Sequence, residues 1–221
     1  MPKSKHFLLG FILAVIPKLY AQADYSTPYA FTTLAGVSSI GSQDGVGSDA
    51  RFYSPEGITT DSVGNVYITD EGNHVIRKIT PDGVVSTFAG SAGEPGNSDG
   101  PGSVARFDSP QGIVADTNGN LFVTDTGNHT IRKITPEGVV TTLTGLAGVT
   151  GNVNGPLSAA RFNRPRGIAI NSAGTLYVTE TGNSDIRQIT PAGEVTTFAQ
   201  SLWFPEASDI NAAMGVSYGS I

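Results

Sequence analysis

The stretch that decides the fold runs from Arg106 to Gly145 and reads RFDSPQGIVADTNGNLFVTDTGNHTIRKITPEGVVTTLTG. The same pattern begins 55 residues earlier at Arg51 and again 55 residues later at Arg161. A constant spacing of this kind indicates a repeat architecture, in which each copy buries its apolar surface against its neighbours. The sequence therefore predicts the shape of the molecule directly, whereas its function has to be argued from the positions at which the copies differ.

Each copy contains four short runs of β-branched and aromatic residues separated by turn signals, which predicts four strands. In the first copy these runs cover about residues 57–61, 65–70, 75–80 and 84–89. The glycines and asparagines between the runs tolerate the dihedral angles that tight turns require. Four strands joined by tight turns and repeated around an axis predict an all-β fold, a β-propeller built of four-stranded blades.

The segment before each third strand carries a shared motif. Residues 70–77 read DEGNHVIR and residues 125–132 read DTGNHTIR, and a Pro-x-Gly-Ile step precedes each of them. These residues resemble the NHL repeat over roughly positions 31–199, although the third copy has Ser184 in place of the histidine. The resemblance implies NHL-type blades, usually six to a ring, in a family that includes binding modules, sensor ectodomains and a few enzymes.

The copies also predict the domain organisation. Residues 30–199 should form the propeller blades, with repeats at about 51–90, 106–145 and 161–199. Residues 30–36 match the end of each repeat and predict a starting strand, whereas residues 200–221 predict a degenerate or truncated fourth blade. Because propellers typically have about four to eight blades, three interpretations stay open: an incomplete propeller, a fragment of a longer multi-blade protein, and a half-ring completed by self-association.

Residues 1–23 predict a secretory signal peptide, with Lys3 and Lys5 before an apolar run and a small-residue cleavage pattern at 21–23. Residues 24–29 predict a disordered lead, and the mature protein is expected to be secreted or periplasmic, without membrane attachment. Cleavage would change the formal net charge from −6 to −9, because residues 1–23 contain three lysines and no acid. An acidic surface repels phosphates, so nucleic acid is not expected as a partner.

Residues that recur in every copy are predicted to be framework. The Arg51-Phe52 step and its equivalents are interpreted as loop clamps that pair with carboxylates and as plugs between blades. Asp70 and Arg77, with their equivalents, are interpreted as polar contacts within a blade. The long loops between copies are expected on the face that carries the turn between the second and third strands, which makes that face a candidate for binding.

The positions that vary between copies are the candidate binding residues. They stand at the start of each inner strand, and inner strands line the axis of a propeller, so we predict that they point towards the mouth of the central channel. The candidate ligand-binding set is Glu56, Gln111 and Arg166, with Asp108, Asn163 and Arg164 beside them. Such a set suits a protein or a small polar ligand; the alternative is that exposed turn positions have drifted without a function.

No catalytic constellation is evident in the sequence. It contains no cysteine and no zinc-ligand spacing, and His74 and His129 occupy equivalent positions a blade apart. No catalytic residue, metal ligand or cofactor is therefore predicted, and a binding or interaction module is the leading interpretation. The alternative is a metal-dependent propeller enzyme, a gluconolactonase-like hydrolase or a lyase, with calcium held at the axis by carboxylates of separate blades.

Overall fold

The computed structural model describes residues 32–200, which form three antiparallel β-sheets, one for each repeat, and three single-turn 3-10 helices. The all-β prediction is confirmed: the sheets are the blades of a β-propeller whose ring is not closed within the described residues. The predicted signal peptide, the lead and all but the first residue of the partial fourth blade lie outside that range. No helix in the described range is long and apolar enough to span a membrane.

Blade 1 contains the four predicted strands and a fifth that the sequence did not predict. From the axis outwards the strands are Pro55–Thr60 (β2), Val66–Asp70 (β3), Val75–Ile79 (β4), Val84–Ala89 (β5) and Gly45–Val46 (β1). The first four agree with the predicted bounds to within two residues. The fifth, β1, is a short segment of the long loop, which forms a strand because the loop passes along the outer edge of β5.

Blades 2 and 3 repeat this strand order. Blade 2 consists of Pro110–Ala115 (β7), Leu121–Asp125 (β8), Thr130–Ile134 (β9), Val139–Gly145 (β10) and Gly100–Pro101 (β6). Blade 3 consists of Pro165–Ile170 (β12), Leu176–Glu180 (β13), Asp185–Ile189 (β14), Glu194–Gln200 (β15) and Gly155–Pro156 (β11). The 3-10 helices are Gly47–Asp49, Glu71–Asn73 and Thr126–Asn128.

Each long loop runs to the outer edge of the blade that follows it and then returns to the inner strand of that blade. The turn between the second and third strands holds the loop in place: the Asn73 side-chain amide donates a hydrogen bond to the Gly41 carbonyl oxygen at 2.7 Å. The equivalent asparagines of the other two blades make the same bond. The prediction that the long loops and this turn share one face is therefore confirmed, and this face is termed the long-loop face.

The predicted starting strand is not formed in its described part. Residues 32–36 make no strand pairing, because no third strand lies beside them within residues 32–200. Gly36 nevertheless has the geometry of Gly90 at the end of blade 1. Both have a positive φ, and the Gly36 amide donates to Gly47 as the Gly90 amide donates to Gly102. The repeat therefore fixes where this segment ends but does not by itself make it a strand.

The hydrophobic core lies in the joints between blades. Phe107 is fully buried in the first joint, against Tyr67 and Ile76 of blade 1, and Phe162 has the same place in the second joint. The repeated phenylalanines are therefore plugs between blades, as predicted. Phe52 is only half-buried, because no blade precedes it among the described residues.

The inner strands of neighbouring blades approach each other most closely at a repeated glycine. A Cβ on Gly57 would collide with the carbonyl oxygen of Gln111, and one on Gly112 would collide with that of Arg166. The Thr69 hydroxyl bridges the first pair of strands, since it accepts the Gly57 N–H and donates to the Gln111 carbonyl, both at 2.7 Å. Blade 2 makes the same bridge to blade 3. These contacts fix the backbone of Gln111 and Arg166, two of the candidate binding residues.

A buried arginine connects the parts of each blade. In blade 2 the fully buried Arg132 donates to Asp125 at 2.8 Å and to Asp99 of the long loop at 2.6 Å, and its guanidinium lies over the ring of Phe107. Burial raises the pKa of Asp125 to about 6, against hydrogen bonds from Asn128 and Arg132 that favour the carboxylate. The equivalent arginines of blades 1 and 3 have the same arrangement. The predicted polar contacts within each blade are confirmed.

The half-buried arginines at the end of each long loop hold the loop through its backbone. Arg106 and Arg161 each donate to the main-chain carbonyls of the three preceding residues, and Arg51 donates to those of Ser48 and Ala50. Of the three, Arg106 alone forms an ion pair within the described residues, with Glu94 at 2.8 Å. The prediction of loop clamps is confirmed, but carboxylate pairing is wrong for Arg51 and Arg161, because the carbonyls of the preceding turn already satisfy the guanidinium.

Replacing Asp125 with alanine leaves the buried Arg132 guanidinium without its carboxylate. We expect the free energy of unfolding to fall by about 3–5 kcal/mol, because an uncompensated buried charge is strongly destabilising. The matched control is Glu94→Ala, which removes an exposed ion pair and should cost no more than about 1 kcal/mol. Urea denaturation of both variants measures the difference, and equal losses would contradict the role assigned to Arg132.

Candidate functional site

The variable residues of the inner strands lie in a β-bulge. In blade 1 the pairing of the inner and second strands shifts register between Pro55 and Ile58, so that Glu56 and Gly57 together oppose a single residue. Blades 2 and 3 have the same shift at the equivalent positions. A bulge interrupts the ladder and re-aims a side chain. The bulge therefore directs three chemically different side chains out of the sheet at the same position of each blade.

Glu56, Gln111 and Arg166 line one open cavity of about 440 Å³, termed the axial cavity. An Arg166 guanidinium nitrogen lies 3.7 Å from a Glu56 carboxylate oxygen, across the gap between blades 3 and 1. The rest of the lining comes from the inner strands and Thr179. The structure thus brings together three of the six candidate residues, and they offer one carboxylate, one amide and one guanidinium to the same space.

A second cavity of about 370 Å³ shares Gln111 with the axial cavity and is termed the lateral cavity. Its other lining residues are Glu71, Ser109, Thr126, Gly127, His129 and Arg164. The Gln111 side-chain amide donates to Glu71 at 3.0 Å, and the Thr126 hydroxyl donates to the Pro165 carbonyl oxygen at 2.6 Å. Arg164, the fourth candidate residue, therefore lies in a neighbouring cavity and not in the axial one.

Asp108 and Asn163 line neither of these cavities, in contrast to the prediction that placed them in the binding set. Their side chains pack over Gly127 and Gly182, where any Cβ would collide with them. The side chains of Asp108 and Asn163, two positions before the proline of the inner strand, therefore point back onto their own blade. Each side chain fills space above the turn between the second and third strands, which is a structural role.

The two histidines connect neighbouring blades, a role that the sequence analysis missed. His74 Nδ1 accepts the backbone N–H of Ser109 at 3.0 Å, and His129 Nδ1 accepts that of Arg164 at 3.1 Å. Ser109 and Arg164 have φ values of 51° and 53°, which cost energy in residues other than glycine. The sequence contains one signal of this role. The third copy has Ser184 in place of the histidine, and within the described residues no further blade follows it that a histidine could contact.

The environment of His129 keeps its imidazole neutral. Burial lowers the pKa of His129, the positive charge of Arg164 lowers it further, and Asp108 opposes both. A neutral imidazole carries one proton, and Nδ1 is already an acceptor, so the proton is on Nε2. His129 thus supplies a hydrogen-bond donor at the edge of the lateral cavity.

A third cavity, of about 400 Å³, lies at the opposite end of the joint between blades 2 and 3. Its walls include Phe122, Leu143 and Leu157, which pack against the core of that joint. Polar residues of three turns, among them Asp116, Ser172 and Thr190, also line it, but none of the variable inner-strand residues does. Within residues 32–200, no three His, Asp or Glu side chains lie close enough together to hold a metal ion.

Comparison with known proteins agrees with this architecture. The family model described as NHL repeat matches residues 52–79, 107–134 and 162–189. The chain is 40% identical over 96 residues to the Arabidopsis thaliana protein SUPPRESSOR OF QUENCHING 1, chloroplastic, and the match covers 43% of this chain and 9% of that protein. The three matched segments coincide with the inner, second and third strands of each blade.

Solved structures show the same fold. A Bacteroides thetaiotaomicron structural-genomics protein of unknown function superposes with a TM-score of 0.57 and 31% identity, over 61% of this chain and 34% of that one. An auxiliary nutrient binding protein from Bacteroides ovatus superposes with a TM-score of 0.57 and 26% identity, over 69% of this chain and 39% of that one. The chain spans less than half the length of each of these proteins.

Replacing His129 with asparagine removes the acceptor for the Arg164 amide but keeps a residue that tolerates a positive φ. Near pH 8 we expect the variant to lose about 1 kcal/mol of stability, the usual contribution of one hydrogen bond. The folded-state pKa of His129 lies below its ordinary value of 6.5, so on acidification the unfolded chain binds the proton first. The stabilisation by His129 is therefore lost as the pH falls below 6.5.

The measurement is urea denaturation of the wild type and of His129→Asn at about pH 8 and about pH 5. The stability difference between the two proteins should shrink at the lower pH, because a protonated imidazole cannot accept the amide hydrogen bond. Taking the difference removes the contributions of all other titrating groups. A difference that does not change with pH would show that Nδ1 is not the acceptor.

Proposed function

Because this chain belongs to the NHL-repeat family of β-propellers, we propose that it is a binding module that holds its ligand at the axis, on the long-loop face. The ligand is a protein or a small polar molecule. The observation that supports this most directly is the axial cavity. Three blades with the same framework direct three different polar side chains into one space, at the position where the repeat introduces a bulge.

The contrast between framework and variable positions supports a binding role. The buried arginines, the phenylalanine plugs and the turn asparagines recur in all three blades. Glu56, Gln111 and Arg166 occupy one position of the repeat and share no chemistry. In addition, the backbone of Gln111 and Arg166 is held by threonine hydroxyls of the preceding blade. A fixed backbone lowers the entropy cost of ordering a ligand contact.

The chemistry of the axial cavity favours a ligand with both donors and acceptors. Arg166 suits a carboxylate or hydroxyl oxygen, Glu56 suits a hydroxyl or ammonium group, and Gln111 serves either. The Glu56–Arg166 pair does not block the cavity, because the side chains are 39% and 54% exposed and their separation is 3.7 Å. Exposed pairs of this kind contribute about 0–1 kcal/mol, so a ligand can replace the contact at little cost.

One structural relative supports a nutrient as the ligand. The Bacteroides ovatus protein with the same fold is named as an auxiliary nutrient binding protein. By this likeness, and by the leader predicted at residues 1–23, we propose that the chain works in a secreted or periplasmic setting. Sugars, sugar acids and amino acids are the nutrient classes that match the polar groups of the axial cavity.

A metal-dependent enzyme is the rival proposal. A Drosophila melanogaster peptidyl-alpha-hydroxyglycine alpha-amidating lyase is 35% identical over 77 residues, which is 34% of this chain and 13% of that protein. A calcium site at the axis would need several carboxylates, because calcium takes about six to eight oxygen ligands. The axial cavity offers the carboxylate of Glu56 beside the positive charge of Arg166, which repels a cation. The geometry therefore supports binding better than metal-assisted catalysis.

Self-association is a further proposal, supported by exposed joint surfaces. Ile58 of blade 1 is 66% exposed, whereas the equivalent Ile113 is 5% exposed inside the first joint. Phe198 of blade 3 is 59% exposed, whereas the equivalent Leu143 packs into the second joint. Exposed apolar surface of this kind marks an interaction site. We propose that a second copy of the chain covers these surfaces and extends the ring.

A ligand panel tests the axial cavity. We expect at least one neutral sugar, sugar acid or amino acid to bind the protein in calorimetry, and both Glu56→Gln and Arg166→Gln to weaken that binding on the order of tenfold. The reason is that each variant removes a hydrogen bond to a charged group, worth about 1.5–3 kcal/mol. Glu194→Gln is the matched control, since it removes an exposed carboxylate from the outer strand of blade 3.

Binding that survives both axial substitutions unchanged would remove the axial cavity as the site. Calcium and zinc belong in the same panel, because the enzyme proposal requires a metal. A thermal shift with either ion that a chelator reverses, together with turnover of a lactone, would favour the enzyme over the binding module.

Light scattering of the mature protein tests self-association. We expect twice the mass of one chain for the wild type and a monomer for Ile58→Asp, because a charge on the exposed apolar face of blade 1 opposes burial against another blade. Val63→Asp is the matched control, since Val63 has a similar exposure, 72%, and lies in the turn between two strands. A wild type that stays a compact monomer at high concentration would contradict the proposal.

A further inference from the structure

We propose that the lateral cavity is an anion subsite, which binds a carboxylate group carried by the ligand of the axial cavity. The two cavities meet at Gln111, which lines both. One ligand can therefore reach both spaces. The inference rests on the proposed binding function and adds the chemical class of the ligand, a small monocarboxylate with further polar groups.

Arg164 supplies the positive charge of the lateral cavity. Its side chain is exposed, and within residues 32–200 no carboxylate forms an ion pair with it, in contrast to Arg166 and Arg106. Its backbone is held on both sides, because the N–H donates to His129 and the next residue is a proline with a restricted φ. A guanidinium on a fixed backbone that has no acid partner is suited to a carboxylate from outside the protein.

His129 supplies a second donor. Since Nδ1 accepts the Arg164 amide, the proton of the neutral imidazole is on Nε2 and is not used by that contact. The Ser109 hydroxyl also lines the cavity, and its contact to Asp108 is long, at 3.4 Å. The lateral cavity therefore offers an oxyanion one full positive charge and two neutral donors, beside the negative charge of Glu71.

The charge balance limits the anion to a single negative charge. Glu71 also lines the lateral cavity, and the side-chain amide of Gln111 neutralises only part of its field through a hydrogen bond of 3.0 Å. The whole chain is acidic, with a formal net charge of −6. A phosphate dianion would meet more repulsion than a carboxylate in this setting. The geometry and the charges thus favour a carboxylate.

The first joint serves as an internal comparison for the second. There His74 makes the same contact to the following blade, but the residue at the position of Arg164 is Ser109. The histidine contact is thus common to both joints, and the positive charge is present in the second joint and not at the equivalent position of the first. The joints also differ at other polar positions, since Glu71 and Asp108 of the first correspond to Thr126 and Asn163 of the second.

Matched pairs of acid and neutral ligands test the proposal. Galacturonate and galactose differ in a carboxylate, as do N-acetylglycine and N-acetylglycinamide, and calorimetry measures the affinity of each. We expect the wild type to prefer the acids and Arg164→Gln to lose on the order of ten- to a hundredfold in affinity for the acids, the usual effect of one charged hydrogen bond. Affinity for the neutral partners should stay within about twofold. Lys133→Gln is the control for loss of a positive charge at another surface.

Nuclear magnetic resonance of the histidine side chains gives a second readout. Galacturonate added to the wild type should shift the Nε2 resonance of His129 and leave that of His74 unchanged, because His74 stands in the joint that lacks the arginine. A carboxylate beside the imidazole should also raise the pKa of His129. In Arg164→Gln both effects should be lost while the spectrum remains that of a folded protein.

The outcomes separate this inference from the function on which it rests. Neutral sugars that bind the wild type, and bind Glu56→Gln more weakly, would support the axial site. If Arg164→Gln then leaves the preference for acids over neutral ligands unchanged, the lateral subsite is wrong and the axial site stands. If His74 and His129 respond equally to the acid, the subsite is also wrong. If no member of either pair binds at millimolar concentration, the axial site for small ligands falls as well.

Discussion

The buried guanidinium of each blade is the contact on which the rest of the structure depends. In blade 2, Arg132 joins the acid at the end of the second strand to three acceptors of the long loop, the last of which is the Arg106 carbonyl oxygen shortly before the inner strand. A buried charge is costly unless it is paired and hydrogen-bonded. The Nε of Arg132 has no hydrogen-bond partner within residues 32–200, so the guanidinium depends on its loop acceptors and the loop has to follow one path. That path leads to the outer edge, where the fifth strand forms, and back to the inner strand.

The position of the candidate site follows from the same constraint. Because the loop, the phenylalanine plug and the inner strand are held together, the residues at the start of each inner strand emerge at a constant place on the long-loop face. The bulge then leaves those side chains free of the ladder. The framework residues of each blade make their hydrogen bonds within that blade and do not need the residues at the start of the inner strand. These positions are therefore free to vary, and in this chain they carry Glu56, Gln111 and Arg166.

The joints between blades add a second level of organisation. Threonine hydroxyls bridge neighbouring inner strands, and histidines hold backbone amides that have an unfavourable φ. These bonds connect residues 35 to 42 positions apart in the sequence. They align successive blades closely enough for Arg166 of blade 3 to approach Glu56 of blade 1, and they place Arg164 against His129. The polar groups of the two cavities are thus a product of the joints.

By itself the sequence determined the three blades of residues 32–200, their four main strands, most of the framework residues and the positions at which the copies differ. Because the same pattern recurs every 55 residues, three copies support the same assignment of turns and strands, and the assignment has little ambiguity. Only the tertiary structure decided that Asp108 and Asn163 pack on turns, that residues 32–36 remain unpaired, and that Arg164 and His129 share a cavity. These features depend on which blade lies beside which, and on the direction of side chains across a joint, and a local periodicity contains neither.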